Sequence, residues 1–431
     1  MRTIKSLMCI AGVFLLLFNS CSTEEDFESR NDIKQETENK KTVKKDVQGG
    51  LEEVTTPEYV NNQLIIRFRE QLENETDYEY NRMKSEKMVI YEAVDAEPCS
   101  CEDDRIVLWT FPDDINIENR LGEMPLDDDL DGNLQFLFRS DTNQTNWYTP
   151  ISGSISNKVA TNNSGVTIAV IDSGVNYNYE GFSSGFLYKN TNECSNEDVI
   201  SGRNFVESGT FPFDDNGHGT VVTSLITDQL DDANTNYQIL PIKIFDHNGN
   251  TSSFKVTCAL SYATRNNDVD IIVSSFGWYH EDRSFVLDLM QEVENDKLLI
   301  ASAGNANVDS DYDSGVHFPS GYALNNILSI AATNSSTFNT TLTNTSLELA
   351  WYSNYGINSV DIAAPGLNIP FVFNSNTYNV SGTSFANAYA AGRTALLFNS
   401  TTPLNLKNAI ISDANVYTSL KNKVKYWSAL D

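Results

Sequence analysis

The sequence predicts an α/β protein in which a small α+β unit precedes a doubly wound, mostly parallel sheet. Three observations carry this expectation. From about Asn146 onward there are six short apolar runs that do not alternate with polar residues, as suits parallel strands buried on both faces. Helical stretches fall between those runs. Upstream, a shorter segment alternates like antiparallel strands and gives way to an acidic stretch.

The first twenty residues concern the compartment. Arg2 and Lys5 precede an apolar stretch, Leu7 to Phe18, of about 12 residues. That is too short to span a bilayer and right for the core of a signal peptide, assigned to 1–20. Ser20 directly before Cys21 resembles a bacterial lipobox, although Phe18 and Asn19 depart from its usual residues. The resemblance implies that Cys21 becomes the acylated first residue, anchoring the exported chain to a bacterial outer membrane or cell surface. The acidic run from Ser22 to Asp26 looks like the surface-export tag of some Gram-negative lipoproteins. The alternative is an ordinary secretory signal cut near Ser20, leaving Cys21 free. Residues 21–56 are rich in Glu, Asp, Lys, Asn and Gln and are expected to form a disordered tether.

Residues 57–112 form the small α+β unit, with strands expected at Gln63–Phe68, Met88–Val94 and Arg105–Phe111. Residues 113–146 are expected to be an acidic linker. Within it Asp127, Asp129, Asp131 and Gly132 match the first half of a calcium loop, but Phe138 stands where its glutamate is due. A solvated linker is the preferred reading, and no metal site is expected.

The large domain spans 147–431. Its strands are expected at 166–172, 239–245, 270–276, 298–303, 327–332 and 360–364, and its helices near 219–229, 253–265, 283–295 and 384–398. In such a fold a site lies at the carboxyl ends of the strands.

Charge and cysteines narrow the options. Against 29 basic residues stand 59 acidic ones, a formal net charge of −30, which argues against binding to nucleic acid, whose phosphates would be repelled. Cys99, Cys101, Cys194 and Cys258 permit three disulfide connectivities in an oxidising compartment.

Three motifs carry chemistry. Asp172 ends a buried strand in Ala169–Gly174, where a turn residue alone would suffice as an explanation. His218 lies between Gly217 and Gly219, which let the backbone turn sharply and approach a neighbour. Ser384 opens a helix rich in small residues (Ala386, Ala388, Ala390, Ala391, Gly392), where serine is also a common cap. Taken together, Asp, His and Ser in this order and in these local settings resemble the triad of the subtilisin-like serine proteases.

The resemblance covers roughly 147–431. It implies that His218 takes the Ser384 hydroxyl proton while Asp172 fixes its tautomer, and that Ser384 attacks a peptide carbonyl to give an acyl-enzyme. Asn305, in Ala301–Asn305, matches the family's oxyanion-hole asparagine. Ser274, Ser275, Phe276 and Gly277 match the strand edge that pairs with a polypeptide substrate and borders the primary pocket. No cofactor is implied. Val221–Ser224 and Phe385–Ala388 depart from the family's usual residues and put pocket shape and rate in question. Asp309, Asp311 and Asp313 follow the oxyanion segment; beside the pocket they would favour basic substrate residues, and surface exposure is the preferred account of them.

Tyr59–Phe68 and Val107–Trp109 look like the opening and closing strands of a subtilase prosegment. That implies an intramolecular inhibitor, with a self-inflicted cut between about Leu137 and Tyr148 that frees the catalytic domain from its anchor unless the prosegment stays bound non-covalently; the alternative is an unrelated accessory domain. Two rival classes remain: a binding lipoprotein on a protease fold, and an α/β-hydrolase esterase. The first would be expected to lose a triad member, and the second needs Gly-x-Ser-x-Gly and the order Ser, Asp, His.

Overall fold

The computed structural model describes residues 51, 54, 58–99, 104–139, 155–190, 200–279, 284–312, 314–335 and 347–431. All of them belong to one unit, Val47–Asp431. The proposed signal, the lipidation site Cys21 and the tether apart from residues 51 and 54, together with Cys101 and Cys194, lie outside the described residues.

The N-terminal part contains β1 (Tyr59–Phe68), α1 (Asp77–Ile90), β2 (Asp95–Pro98), β3 (Ile106–Thr110), α2 (Ile117–Glu123) and β4 (Leu130–Arg139). Its antiparallel sheet has the order β2-β3-β1-β4. Alternation on β1 serves two cores. Leu64, Ile66 and Phe68 pack with Tyr80, Trp109, Phe111 and Met124 under the two helices. Ile65, with Ile106 and Leu108 opposite, faces the other way and packs on Phe254, Cys258 and Phe285 of the larger domain.

Two expectations are corrected here. Met88–Val94 is not a strand: Met88–Ile90 end α1 and the chain then turns. Thr76 and Glu79 form a capping box that starts this helix, and Val89 and Ile90, the β-branched residues behind the strand reading, are exposed. Residues 113–139 are not a linker. They carry α2 and β4, and β4 pairs with β1 along Leu130–Leu134. Half of the acidic run is neutralised rather than solvated: Asp127 pairs with Lys87, and Asp129 lies 2.8 Å from both Lys87 and Arg69, whereas Asp128 and Asp131 are exposed. The folded N-terminal part therefore extends from 58 to 139.

The larger domain runs β5 (Val166–Asp172), β6 (Arg203–Asn204), α3 (His218–Asp232), β7 (Tyr237–Lys243), β8 (Asn250–Ser252), α4 (Ser253–Arg265), β9 (Ile271–Ser274), β10 (Trp278–Tyr279) and α5 (Ser284–Glu292). It continues with β11 (Leu298–Ser302), β12 (His317–Phe318), β13 (Ile327–Thr333), β14 (Ile362–Pro365), β15 (Ile369–Phe373), β16 (Asn376–Val380), α6 (Thr383–Leu396), α7 (Pro403–Asp413), β17 (Asn415–Val416) and β18 (Ser428–Ala429). The main sheet has the order β17-β18-β14-β13-β11-β9-β5-β7-β6 and is parallel except where β17 meets β18. Val166, Ile168 and Val170 of β5 pack toward α3 and α6, whereas Ala169 and Ile171 pack toward α4 and α5. Helices cover both faces, so this is the doubly wound α/β fold that non-alternating strands require. The chain leaves β5 for β7 on one side and returns to β9 on the other. The carboxyl end of β5 is thus the switch point at which such sheets place a site.

Besides the apolar packing of Ile65, Ile106 and Leu108, three further features join the two parts. Leu137–Arg139 of β4 pair antiparallel with Asn250–Ser252 of β8. Arg67 of β1 lies 2.5 Å from Asp288 and stacks over Phe285, both on α5. Cys99 and Cys258 form a disulfide across a sequence separation of 159, resolving one pairing among the connectivities left open by the sequence.

Candidate active site

The carboxyl ends of β5, β9 and β11 bring the sequence motifs together with the starts of α3 and α6. Asp172, the last residue of β5, is 1% exposed. One of its oxygens, Oδ1, accepts the Ser173 N–H at 2.7 Å and lies 2.8 Å from His218 Nδ1. An ionised carboxylate there makes Nδ1 the donor, so the neutral imidazole presents Nε2 as its basic end. Burial alone lowers the His218 pKa. The Asp172 charge and hydrogen bond, helped by the Asp214 charge, outweigh burial and hold it above the ordinary imidazole value.

Glycine makes this approach possible. Gly217 caps α3 with φ of 105°, in the left-handed region. A Cβ on Gly219 would lie 2.2 Å from the Gly174 carbonyl oxygen and 3.2 Å from Asp172 Oδ1, so any larger residue would push α3 off the end of β5.

The structure adds a residue that the motif reading did not include. Asp214, just before Asp215, is buried and organises the whole turn. Its Oδ1 accepts from Gly217 N, Asn216 N and Ser173 Oγ, and its Oδ2 from Thr220 N and Oγ1. A carboxylate four residues ahead of a helix's first residue is a readable anchor for that helix.

Ser384 is the second residue of α6, just past Gly382. The α6 amino end lies beside His218, whose ring centroid is 5.5 Å from that of Phe385. The Ser384 hydroxyl donates to the Ser275 carbonyl at 2.8 Å rather than to His218, and Ser275 Oγ donates back to the Ser384 carbonyl at 3.1 Å. A hydroxyl rotates freely to an available acceptor, and nucleophile–base bonds are often loose before substrate binds.

Asn305 follows β11, where its side-chain oxygen accepts from both Thr383 N and Thr383 Oγ1 at 2.9 Å. This fixes the amide's orientation, with the oxygen toward α6 and the NH2 on the opposite branch. Thr383 Oγ1 in turn accepts from Gly304 N at 3.2 Å. Thr383 therefore locks the asparagine, a role the Ser-Gly-Thr-Ser motif contains without announcing.

Ser274 ends β9, and Ser275, Phe276 and Gly277 continue from it past the start of α6. Asn387, one of the departures noted in the sequence, explains how this edge is held. Fully buried one turn after Ser384, it places its amide nitrogen 3.2 Å from Ser274 O, Ser275 Oγ and Ile300 O. The other departure, Val221–Ser224, is buried inside α3. Helix α6 packs closely on α3: a Cβ on Gly392 would meet Gln229 Nε2 at 2.3 Å.

Asp311 does not act as a substrate carboxylate here. It accepts from Ile357 N, Asn358 N and Ser359 N and pins that turn. Asp313 lies outside the described residues. Among the described residues no group of three or more His, Cys, Asp or Glu side chains is placed to hold a metal ion.

Comparison with known proteins gives three findings. The Subtilase family model matches residues 163–426. The "Thermophilic serine proteinase" of Bacillus sp. (strain AK1) is 28% identical over 246 residues, 56% of this chain and 53% of that protein. The "Cell wall-associated protease" of Bacillus subtilis (strain 168) is 32% identical over 204 residues, 46% of this chain and 21% of that protein. The chain thus spans about half the length of the first relative and a fifth of the second. A cold-adapted subtilisin-like serine proteinase of known crystal structure aligns with 61% of this chain and 88% of its own, at 25% identity and a TM-score of 0.48. The family match covers more than half of the sequence and contains Asp172, His218, Asn305 and Ser384, and the chain belongs to the subtilase family.

Proposed function

We propose that the chain is a serine endopeptidase in which Ser384 is the nucleophile, His218 the general base and then acid, and Asp172 the group that orients and stabilises the imidazolium. The observation that carries this reading is the buried Asp172–His218 hydrogen bond beside the amino end of α6, where Ser384 sits. Proton transfer to Nε2 frees the serine oxygen to attack a peptide carbonyl. The negative charge that develops on the former carbonyl oxygen meets the Asn305 amide, which Thr383 has already oriented, and the Ser384 N–H. His218 then gives its proton to the departing amine, and water repeats the sequence to release the acid. The Ser274–Gly277 edge supplies main-chain groups to an extended polypeptide. Export and acylation at Cys21 complete the reading as a surface-tethered protease. A fluorophosphonate probe tests the chemistry directly: the adduct should map to Ser384, and labelled enzyme should no longer cleave peptides.

The part at 58–139 is proposed as a prosegment that acts as an intramolecular inhibitor. Its last strand, β4, adds to β8 and leads into 140–154, the stretch joining it to the domain that carries the site. Self-cleavage in that stretch is part of the proposal.

Two further results are expected. Asn305→Ala should lower kcat by about 10²- to 10³-fold, a magnitude measured for this donor in subtilisin, with KM changing little. A KM effect with unchanged kcat would contradict the oxyanion role. Activity should also rise with pH through the His218 titration, because only the neutral ring accepts a proton. The Asp172 partnership places the midpoint above the ordinary 6.5. A kcat/KM profile with its rising limb near pH 4 would instead point to carboxylate chemistry.

A further inference from the structure

The protease reading assigns the residue preceding the cut a definite place. On that reading, with its carbonyl carbon at Ser384 Oγ and its oxygen at Asn305, its side chain is directed between Phe276–Gly277 and Ala303–Asn305, the segments that follow the neighbouring strands β9 and β11. Both segments present a glycine there, and one imidazole reaches both. A Cβ on Gly277 would lie 2.2 Å from His317 Cε1 and 2.3 Å from Nε2, and a Cβ on Gly304 would lie 2.8 Å from His317 Cδ2. The Tyr279 hydroxyl closes the same space, 2.6 Å from the Gly304 position, and is itself held by the Asn354 amide at 2.9 Å.

His317 is firmly placed. It pairs with Tyr279 across β10 and β12, meets that ring edge-on at 5.0 Å, and has Nδ1 3.0 Å from Ser320 Oγ. The ring is 1% exposed.

We propose that His317 is the specificity-determining floor of the subsite for the residue before the cut, and that it limits this residue to Gly, Ala or Ser. The inference rests on the protease reading of the same site. A larger side chain would have to displace a buried, hydrogen-bonded ring that packs on two backbone segments at once. Burial pushes the His317 pKa down to about 3, so the floor is uncharged in neutral solution and offers an acidic residue no compensation for its desolvation.

The test uses the full chain, first titrated with a fluorophosphonate, and peptides that differ only before the cut: Gly, Ala, Ser, Leu or Phe. Wild-type kcat/KM is expected to favour Ala over Phe by about 100-fold, within the range that pocket volume supplies. In His317→Gly and His317→Ala the Phe/Ala ratio should rise at least about tenfold. Wild-type cleavage after Phe or Leu as fast as after Ala overturns the proposal without any variant. An unchanged ratio in a variant that still takes the probe removes His317 as the determinant. Failure of the wild-type chain to take the probe at all sinks the protease reading instead, and this inference with it.

Discussion

Replacing Ser384 with alanine is expected to abolish fluorophosphonate labelling and to reduce peptide turnover by about 10⁶-fold, the loss measured for the equivalent change in subtilisin. So large an effect follows because the remaining groups lose their purpose together. Without Oγ, His218 has no proton to accept and Asn305 has no tetrahedral oxyanion to meet. The fold should tolerate the change. Alanine favours a helix, and the bond that Ser384 Oγ makes among the described residues, to Ser275 O, is worth about 1 kcal/mol. The amino end of α6 remains fixed by Thr383 on Asn305 and by Asn387 on the β9 edge. Circular dichroism and thermal melting should therefore match the parent closely, which makes loss of activity chemical rather than structural. Hydrolysis persisting in a folded, unlabelled Ser384→Ala protein would move the nucleophile elsewhere.

What was legible in the sequence followed from local pattern. Strand β5 and helix α4 have the limits that the apolar runs imply, because a strand buried on both faces and a helix between turns each leave a contiguous signal. Asp172 and His218 were readable as motifs, and the structure brings them within 2.8 Å. The N-terminal part was harder. Leu134, Phe136 and Phe138 alternate as a strand should, but the neighbouring aspartates suggested solvent. Their partners, Lys87 and Arg69, lie far away in sequence, so their neutralisation is visible only in three dimensions. Likewise, Met88–Val94 has β-branched residues typical of a strand, whereas the decisive feature is a cap twelve residues earlier, at Thr76. His317 shows the same limit. Nothing near it in sequence suggests a site, and its place follows from a strand pairing with Tyr279 that brings it under Gly277 and Gly304.

Covalent linkage changes what maturation can achieve. The sequence led to the expectation that a cut between about Leu137 and Tyr148 frees the catalytic domain from an anchor at Cys21 unless the N-terminal part stays bound non-covalently; Leu137–Arg139 lie within β4. With Cys99 joined to Cys258 on α4, a cut anywhere in 140–154 leaves both polypeptides in one molecule. The non-covalent contacts, β4 on β8 and Arg67 on Asp288, add to that retention. We therefore expect the cut wild-type protein to run as one species on a non-reducing gel and as two on a reducing gel. Release into the medium should need a thiol reductant as well as the cut. Cys258→Ser should behave differently. In the uncut chain it should lower stability by at most about 5 kcal/mol, the chain-entropy value for closing so long a loop. After the cut, only the non-covalent contacts would hold the pieces, so catalytic fragment should appear in the medium without reductant. Ser384→Ala combined with Cys258→Ser should remain uncut and bound, which separates self-cleavage from simple loss of the disulfide. Free catalytic fragment shed by wild-type cells without reductant would show that the Cys99–Cys258 bond does not hold the two parts together. Active wild-type enzyme that remains a single polypeptide even after reduction would instead overturn the prosegment reading and make 58–139 a permanent part of a tethered protease.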